Sequence, residues 1–149
     1  MKPVKCMEKD EILLGGFQVG AEREGHNHWE KFESQTAIED LRNTVDNSGF
    51  EMRVFPPGDE RIFTGVQVTD RDILPSYELL VIPAAAYAVF DINCKNRLDK
   101  QFAGIDKWLE KNKAACPRRE WDGWPYVVCW YGRMPTENIF EMWIPVVPA

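Results

Sequence analysis

The chain has 149 residues, 44% of them hydrophobic and 28% charged, which suits one globular domain with its own core and excludes a disordered polymer. Its 24 acidic residues outnumber 18 basic ones, and the net charge of -6 argues against nucleic acid as main partner while favouring a small cationic ligand. No apolar run approaches the ~18–20 residues of a membrane span, and Met1-Lys2-Pro3-Val4-Lys5-Cys6 has no apolar leader stretch, so a cytoplasmic location is expected.

Taken in order, Val4 to Val19 alternates loosely and reads as a strand kinked or bulged at Gly15-Gly16. From His26 to Asn47 the apolar residues Trp29, Phe32, Ala37, Ile38, Leu41 and Val45 predict an amphipathic helix closed by Asn47-Ser48-Gly49. Phe50 to Phe55 is a short strand stopped by Pro56-Pro57-Gly58-Asp59, with Arg61 to Val68 as its hairpin partner.

Tyr77 to Ile92 is a long apolar stretch broken at Pro83, which predicts two strand pieces joined by a bend. Leu98, Phe102, Ile105, Trp108 and Leu109 mark a second helix whose charged residues fall largely on its other face. Tyr126 to Tyr131 and Ile139 to Val147 then form a closing hairpin. The order strand–helix–strand–strand thus occurs twice, in halves of about 1–70 and 75–149 within a single domain 1–149. The expected class is α+β: duplicated units related by a pseudo-two-fold axis, an antiparallel sheet with two main helices, and a central ligand cleft.

Cys6, Cys94, Cys116 and Cys129 are scattered, without a C-x-x-C pair, and read as reduced thiols rather than a zinc site. His26 and His28 have metal-compatible spacing but no second cluster, so neither a metal nor another cofactor is expected. Trp121-Asp122-Gly123-Trp124-Pro125 forms either an aromatic lip or a surface turn packed on the core. Six Trp, eight Phe and four Tyr exceed what a core of this size needs and leave room for an aromatic-lined pocket.

Several of these segments resemble the GyrI-like effector-binding family. They are Ile62 to Val68, Tyr77 to Phe90, Phe102 through Trp108-Leu109, and the closing Glu141-Met142-Trp143-Ile144-Pro145-Val146, in the family's order. Trp29 and Phe32 fit the pattern of that family's first helix. The resemblance implies a duplicated fold whose central cleft binds small organic molecules. It also implies a domain often fused to AraC-type or MerR-type DNA-binding modules in multidrug regulators. The two repeats use up this chain, so a free-standing, bacterial ligand-binding protein is expected, with no direct nucleic acid binding and no membrane. A separate regulator or a homodimer is the partner anticipated. Many relatives carry a glutamate in a Pro-aromatic-Glu-x-Tyr pattern. Here that strand reads Pro125-Tyr126-Val127-Val128-Cys129-Trp130-Tyr131, and Glu141 is left to act alone.

In a strand, Glu141 and Trp143 share one face. A carboxylate beside an aromatic ring must be neutralised, hydrogen-bonded or matched by a cation, which suits an amphipathic organic cation. The ligand-binding candidates are therefore Glu141, Trp143, Tyr131 and Tyr87. Phe17, Phe63 and Trp108 fit core packing as well as a place in the cleft. The function expected is binding of small hydrophobic cations, drug-like in size, for sequestration or sensing. The alternative is a hydrolase of strained electrophilic molecules with Glu141 as its acid or base.

Overall fold

The computed structural model describes residues 2–20, 44–72, 77–133 and 139–147. Strand β1 (Lys5–Lys9) leads into β2 (Ile12–Gly20), and β3 (Thr44–Val54) pairs with β4 (Arg61–Val68) as a hairpin. Next come β5 (Glu78–Ile82), β6 (Ala85–Asn93) and the helix α1 (Leu98–Asn112). Strands β7 (Glu120–Trp121), β8 (Trp124–Arg133) and β9 (Ile139–Val146) follow. The helix anticipated over 26–47 lies outside the described residues except at its end. There the expectation needs correcting, because Thr44 pairs with Val68 and extends β3 backwards across an irregularity that ends at Gly49. Sheet pairing overrides helical spacing at that point.

The sheet runs β1-β6-β9-β8-β3-β4-β2-β5, with β7 attached to β8. Outward from the central β3·β8 pair the order is β4 then β2 on one side, and β9 then β6 on the other. Phe50 opposite Trp130 and Arg53 opposite Val127 join the two sides of this order.

Although β1 and β6 lie at one end of this order and β2 and β5 at the other, β1 runs into β2 through Asp10-Glu11 and β5 into β6 through Pro83-Ala84. Lys9 faces Ala85 and Ile12 faces Ile82, so one antiparallel register carries through both bends. A flat sheet cannot meet that condition; this one curls into a half-barrel whose ends share a bent two-stranded ribbon.

Pro83 breaks its strand as the sequence predicts. The kink expected at Gly15-Gly16 is instead at Asp10-Glu11, and the register from Leu13 to Gly20 against β4 is unbroken. Close approach explains the glycines. A Cβ on Gly16 would run into the Thr64 carbonyl oxygen, and one on Gly65 into that of Gly15.

Alternation divides the core between two faces. Leu14, Phe50, Met52, Tyr87, Tyr126, Val128 and Trp143, drawn from strands across the whole sheet, fill the inside of the curl. Phe90, Ile92, Val127, Cys129 and Ile144 lie on the opposite face beneath Ile105 of α1. The start of α1 is tied to the end of β6 by Gln101, whose Nε2 donates to the Asn93 carbonyl at 2.9 Å while its Oε1 accepts from the Asn93 N–H at 2.8 Å. Trp108 meets Phe90 edge-on, with ring centroids 5.6 Å apart.

The turn between β7 and β8 is a two-residue hairpin. Asp122 and Gly123 have φ of 52° and 81°, the left-handed pair that fits a twisted ribbon. Trp121 packs on Tyr126 at 6.3 Å, and Trp124 stays 39% exposed.

Candidate functional site

Only Ile105 of α1 is fully buried. The rest of its apolar stripe, Leu98, Phe102 and Leu109, stands over the sheet across a cavity of about 740 Å³. The floor is set by strand alternation: Glu51 and Arg53 from β3, Val127, Cys129 and Tyr131 from β8, and Phe140, Met142 and Ile144 from β9. Phe55 and Cys94 stand at the rim. Tyr131 stacks on Phe140 with centroids 5.0 Å apart, giving one wall a flat aromatic surface. Arg118 and Asp106 mark another edge, where Arg118 Nη2 donates to the Tyr126 carbonyl at 2.8 Å.

The polar centre of this cavity is Glu51, 1% exposed and flanked along its strand by the apolar Phe50 and Met52. An isolated carboxylate there would be costly. Arg53, two residues along and on the same face, supplies the counter-charge: its Nε and Nη2 both reach Glu51 Oε2 at 2.9 Å. The Tyr131 hydroxyl also hydrogen-bonds the Glu51 carboxylate. Burial disfavours the Arg53 charge, but Glu51, helped by Cys129 and Tyr131, more than offsets it and holds the guanidinium above its ordinary pKa. Burial, with Cys129 and Glu51 nearby, raises the Tyr131 phenol, which stays neutral and able to donate. Burial, then Glu51, pushes the Cys129 thiol up to about 12, so it is a poor nucleophile.

The residues singled out in the sequence fall in different places. Tyr131 lines the large cavity. Glu141 and Trp143 do share a face, but it is the inner one, where they line a pocket of about 300 Å³ with Lys5, Lys9, Phe50 and Trp130. Tyr87 is fully buried against Trp143 at 5.6 Å, and Phe63 is buried in the same cluster. Phe17 packs on Tyr77 at 5.3 Å, and Trp108 braces α1 on Phe90. Sequence reasoning passed over Glu51 and Arg53. Their signal was present in Phe50-Glu51-Met52-Arg53-Val54, where an acid and a base alternate with apolar residues and so share one strand face.

No protein-family model and no curated protein matches the chain. Solved structures do. The structure of SAV2435 bound to tetraphenylphosphonium aligns with a TM-score of 0.72 at 14% identity, over 99% of this chain and 94% of that one. The EcmrR C-terminal domain aligns at 0.68 and 10% identity, over 97% of each chain. An integron cassette protein from the mobile metagenome of Vibrio cholerae aligns at 0.55 and 17% identity, over 96% of this chain and 95% of that one. The curled sheet and the helix over it are thus the fold of GyrI-like effector-binding domains. Likeness at these identities establishes the fold and leaves the ligand to be argued from this chain's own cavity.

Proposed function

We propose that this protein binds bulky hydrophobic organic molecules, cations among them, in the cavity between α1 and the sheet. The observation that carries this reading is an apolar space of about 740 Å³ with one deeply buried carboxylate, Glu51, in its floor. Apolar ligand surface gains about 2.5 kcal/mol per 100 Å² removed from water, before the costs of ordering. Phe102, Phe140 and Tyr131 offer ring faces, each worth about 0.5–1 kcal/mol to an exposed cation and about 2 when desolvated. Such contacts tolerate many shapes, which suits a broad ligand range.

The neighbour with bound tetraphenylphosphonium supports this choice of ligand class, and the likeness to the EcmrR C-terminal domain is in keeping with a role exercised through small-molecule binding. The smaller pocket at Glu141 is less suited to a bulky ligand, having less than half the volume and two lysines already placed on its carboxylate and indole. Titration with tetraphenylphosphonium, followed by calorimetry, tests the reading. Saturable binding that weakens at least fivefold in Phe102→Ser is expected, on the loss of about 1 kcal/mol of ring contact. Binding unaltered by that substitution would place the ligand elsewhere.

A further inference from the structure

The following rests on the α1 cavity being the ligand site. We propose that Arg53 is a built-in surrogate for the ligand's positive charge, holding Glu51 while the cavity is empty and yielding it to an organic cation that enters.

Geometry is the first argument. A guanidinium that grips a carboxylate in its strongest form sets one nitrogen on each oxygen. Here Nε and Nη2 both converge on Oε2, a grip on one oxygen that a single incoming cation can replace. Exposure is the second. The Arg53 side chain is 33% exposed and that of Glu51 is 1% exposed, although both rise from the same strand face. Part of the Arg53 side chain therefore already meets water, whereas Glu51 stays covered while Arg53 holds it. Placement is the third, because both residues line the cavity, whose lining is otherwise mostly apolar, with Tyr131 the neutral donor beside Glu51.

Together these define an exchange of partners. A buried carboxylate that loses a counter-charge is strongly destabilised, so Glu51 without Arg53 would make the empty cavity a poor resting state. Arg53 removes that problem without closing the cavity. When a ligand brings its own positive charge to Oε2, Arg53 swings out and regains hydration, so Glu51 is compensated throughout. A neutral ligand of the same bulk enters without moving Arg53 and gains only the apolar and aromatic contacts. Arg53 thereby sets the cation preference, keeping it modest and the site broad. Its removal sharpens that preference.

The experiment compares methyltriphenylphosphonium with triphenylphosphine oxide, similar in bulk but charged in one case and neutral in the other. Calorimetric titrations use wild type, Arg53→Met and Glu51→Gln. Arg53→Met is expected to bind the phosphonium about tenfold more tightly and the phosphine oxide within about twofold of wild type. Glu51→Gln is expected to bind the two alike. Should both ligands bind wild type while Arg53→Met shifts them equally or not at all, the surrogate role is overturned and the cavity reading stands. No saturable binding of either ligand to any of the three proteins would overturn both. A second readout needs no substitution: the Arg53 Nε–H resonance of ¹⁵N-labelled wild type should move to a rapidly exchanging position with the phosphonium and not with the phosphine oxide. An unmoved resonance at saturating phosphonium contradicts the exchange even if Arg53→Met does not fold.

Discussion

Trp143 donates its indole N–H to Glu141 Oε1 at 2.9 Å, a bond made along one strand between residues whose side chains rise from the same face. Lys5 Nζ adds an ion contact to Oε2 at 3.7 Å, and Lys9 Nζ sits 5.8 Å from the Trp143 ring centroid. Glu141 is thus already engaged within the chain. Its side chain is 20% exposed and that of Lys5 52%, so their pairing is largely screened. Glu141→Gln keeps an acceptor for the indole, and urea unfolding should show a loss below about 1 kcal/mol. A loss of several kcal/mol would mean that the pair anchors β9 to β1.

The Glu51–Arg53 pair should behave differently. Arg53→Met leaves the carboxylate buried, with an expected cost of about 2–3 kcal/mol, at or below the low end of the range for breaking a buried pair because Arg53 is partly solvated. Replacing both residues together, as Glu51→Gln with Arg53→Met, should recover most of that loss. A double-mutant cycle in urea gives the coupling directly, and additive losses would show that the two side chains act independently.

Alkaline pH probes the cavity floor. Burial raises the Cys129 thiol from 9.0 to about 12, so the folded state keeps a proton that the unfolded chain gives up. This stabilisation is complete below about pH 9 and is lost as pH rises toward 12, at up to about 1.4 kcal/mol per pH unit. Tyr131, also raised by burial, adds to the fall above its ordinary value of 10.0. Cys129→Val should flatten the slope just above pH 9, and an identical slope in that variant would assign the whole effect to other groups.

Thiol labelling locates the ligand. Cys6 and Cys94 are exposed, Cys116 is half-buried and Cys129 is buried, so a thiol reagent should modify the first two rapidly and Cys129 only on unfolding. Cys94 stands at the cavity rim and Cys6 does not. Bound tetraphenylphosphonium should slow labelling of Cys94 and leave Cys6 unchanged, as read by peptide mass spectrometry. Equal rates at Cys94 with and without ligand would count against occupancy of this cavity.

Two glycines separate steric need from backbone need. Gly16→Ala drives a methyl into the Thr64 carbonyl at the β2·β4 contact and should cost about 3 kcal/mol or prevent folding. Gly58 has φ of 77° with open space around it, so Gly58→Ala should cost only about 1 kcal/mol. Thermal melts of the two variants that fall in the opposite order would refute the close approach.

Sequence periodicity made much of this fold legible. The β4 strand, the break at Pro83, the stripe of α1 and the closing hairpin all follow from spacing and turn residues. The Asp10-Glu11 bend was hidden, because its cause is register against Ala85 and Ile82 across the ribbon rather than any local turn residue. The candidate site was legible in chemistry but not in place. Alternation correctly put Glu141 beside Trp143, but it cannot say which sheet face carries the helix, and that choice sets Phe140 and Met142 on the large cavity. Glu51 was obscured by its short spacing to Arg53, which reads as an ordinary surface ion pair until both flanking strands are seen to bury it.

The decisive question is whether a hydrophobic cation binds beside Glu51. Calorimetric titration of tetraphenylphosphonium into wild type, Glu51→Gln and Glu141→Gln tests it most directly. Binding is expected to weaken about tenfold or more in Glu51→Gln and to change within about twofold in Glu141→Gln. The opposite order, with Glu141→Gln losing binding and Glu51→Gln retaining it, would rule out binding beside Glu51 and move the site to the inner face.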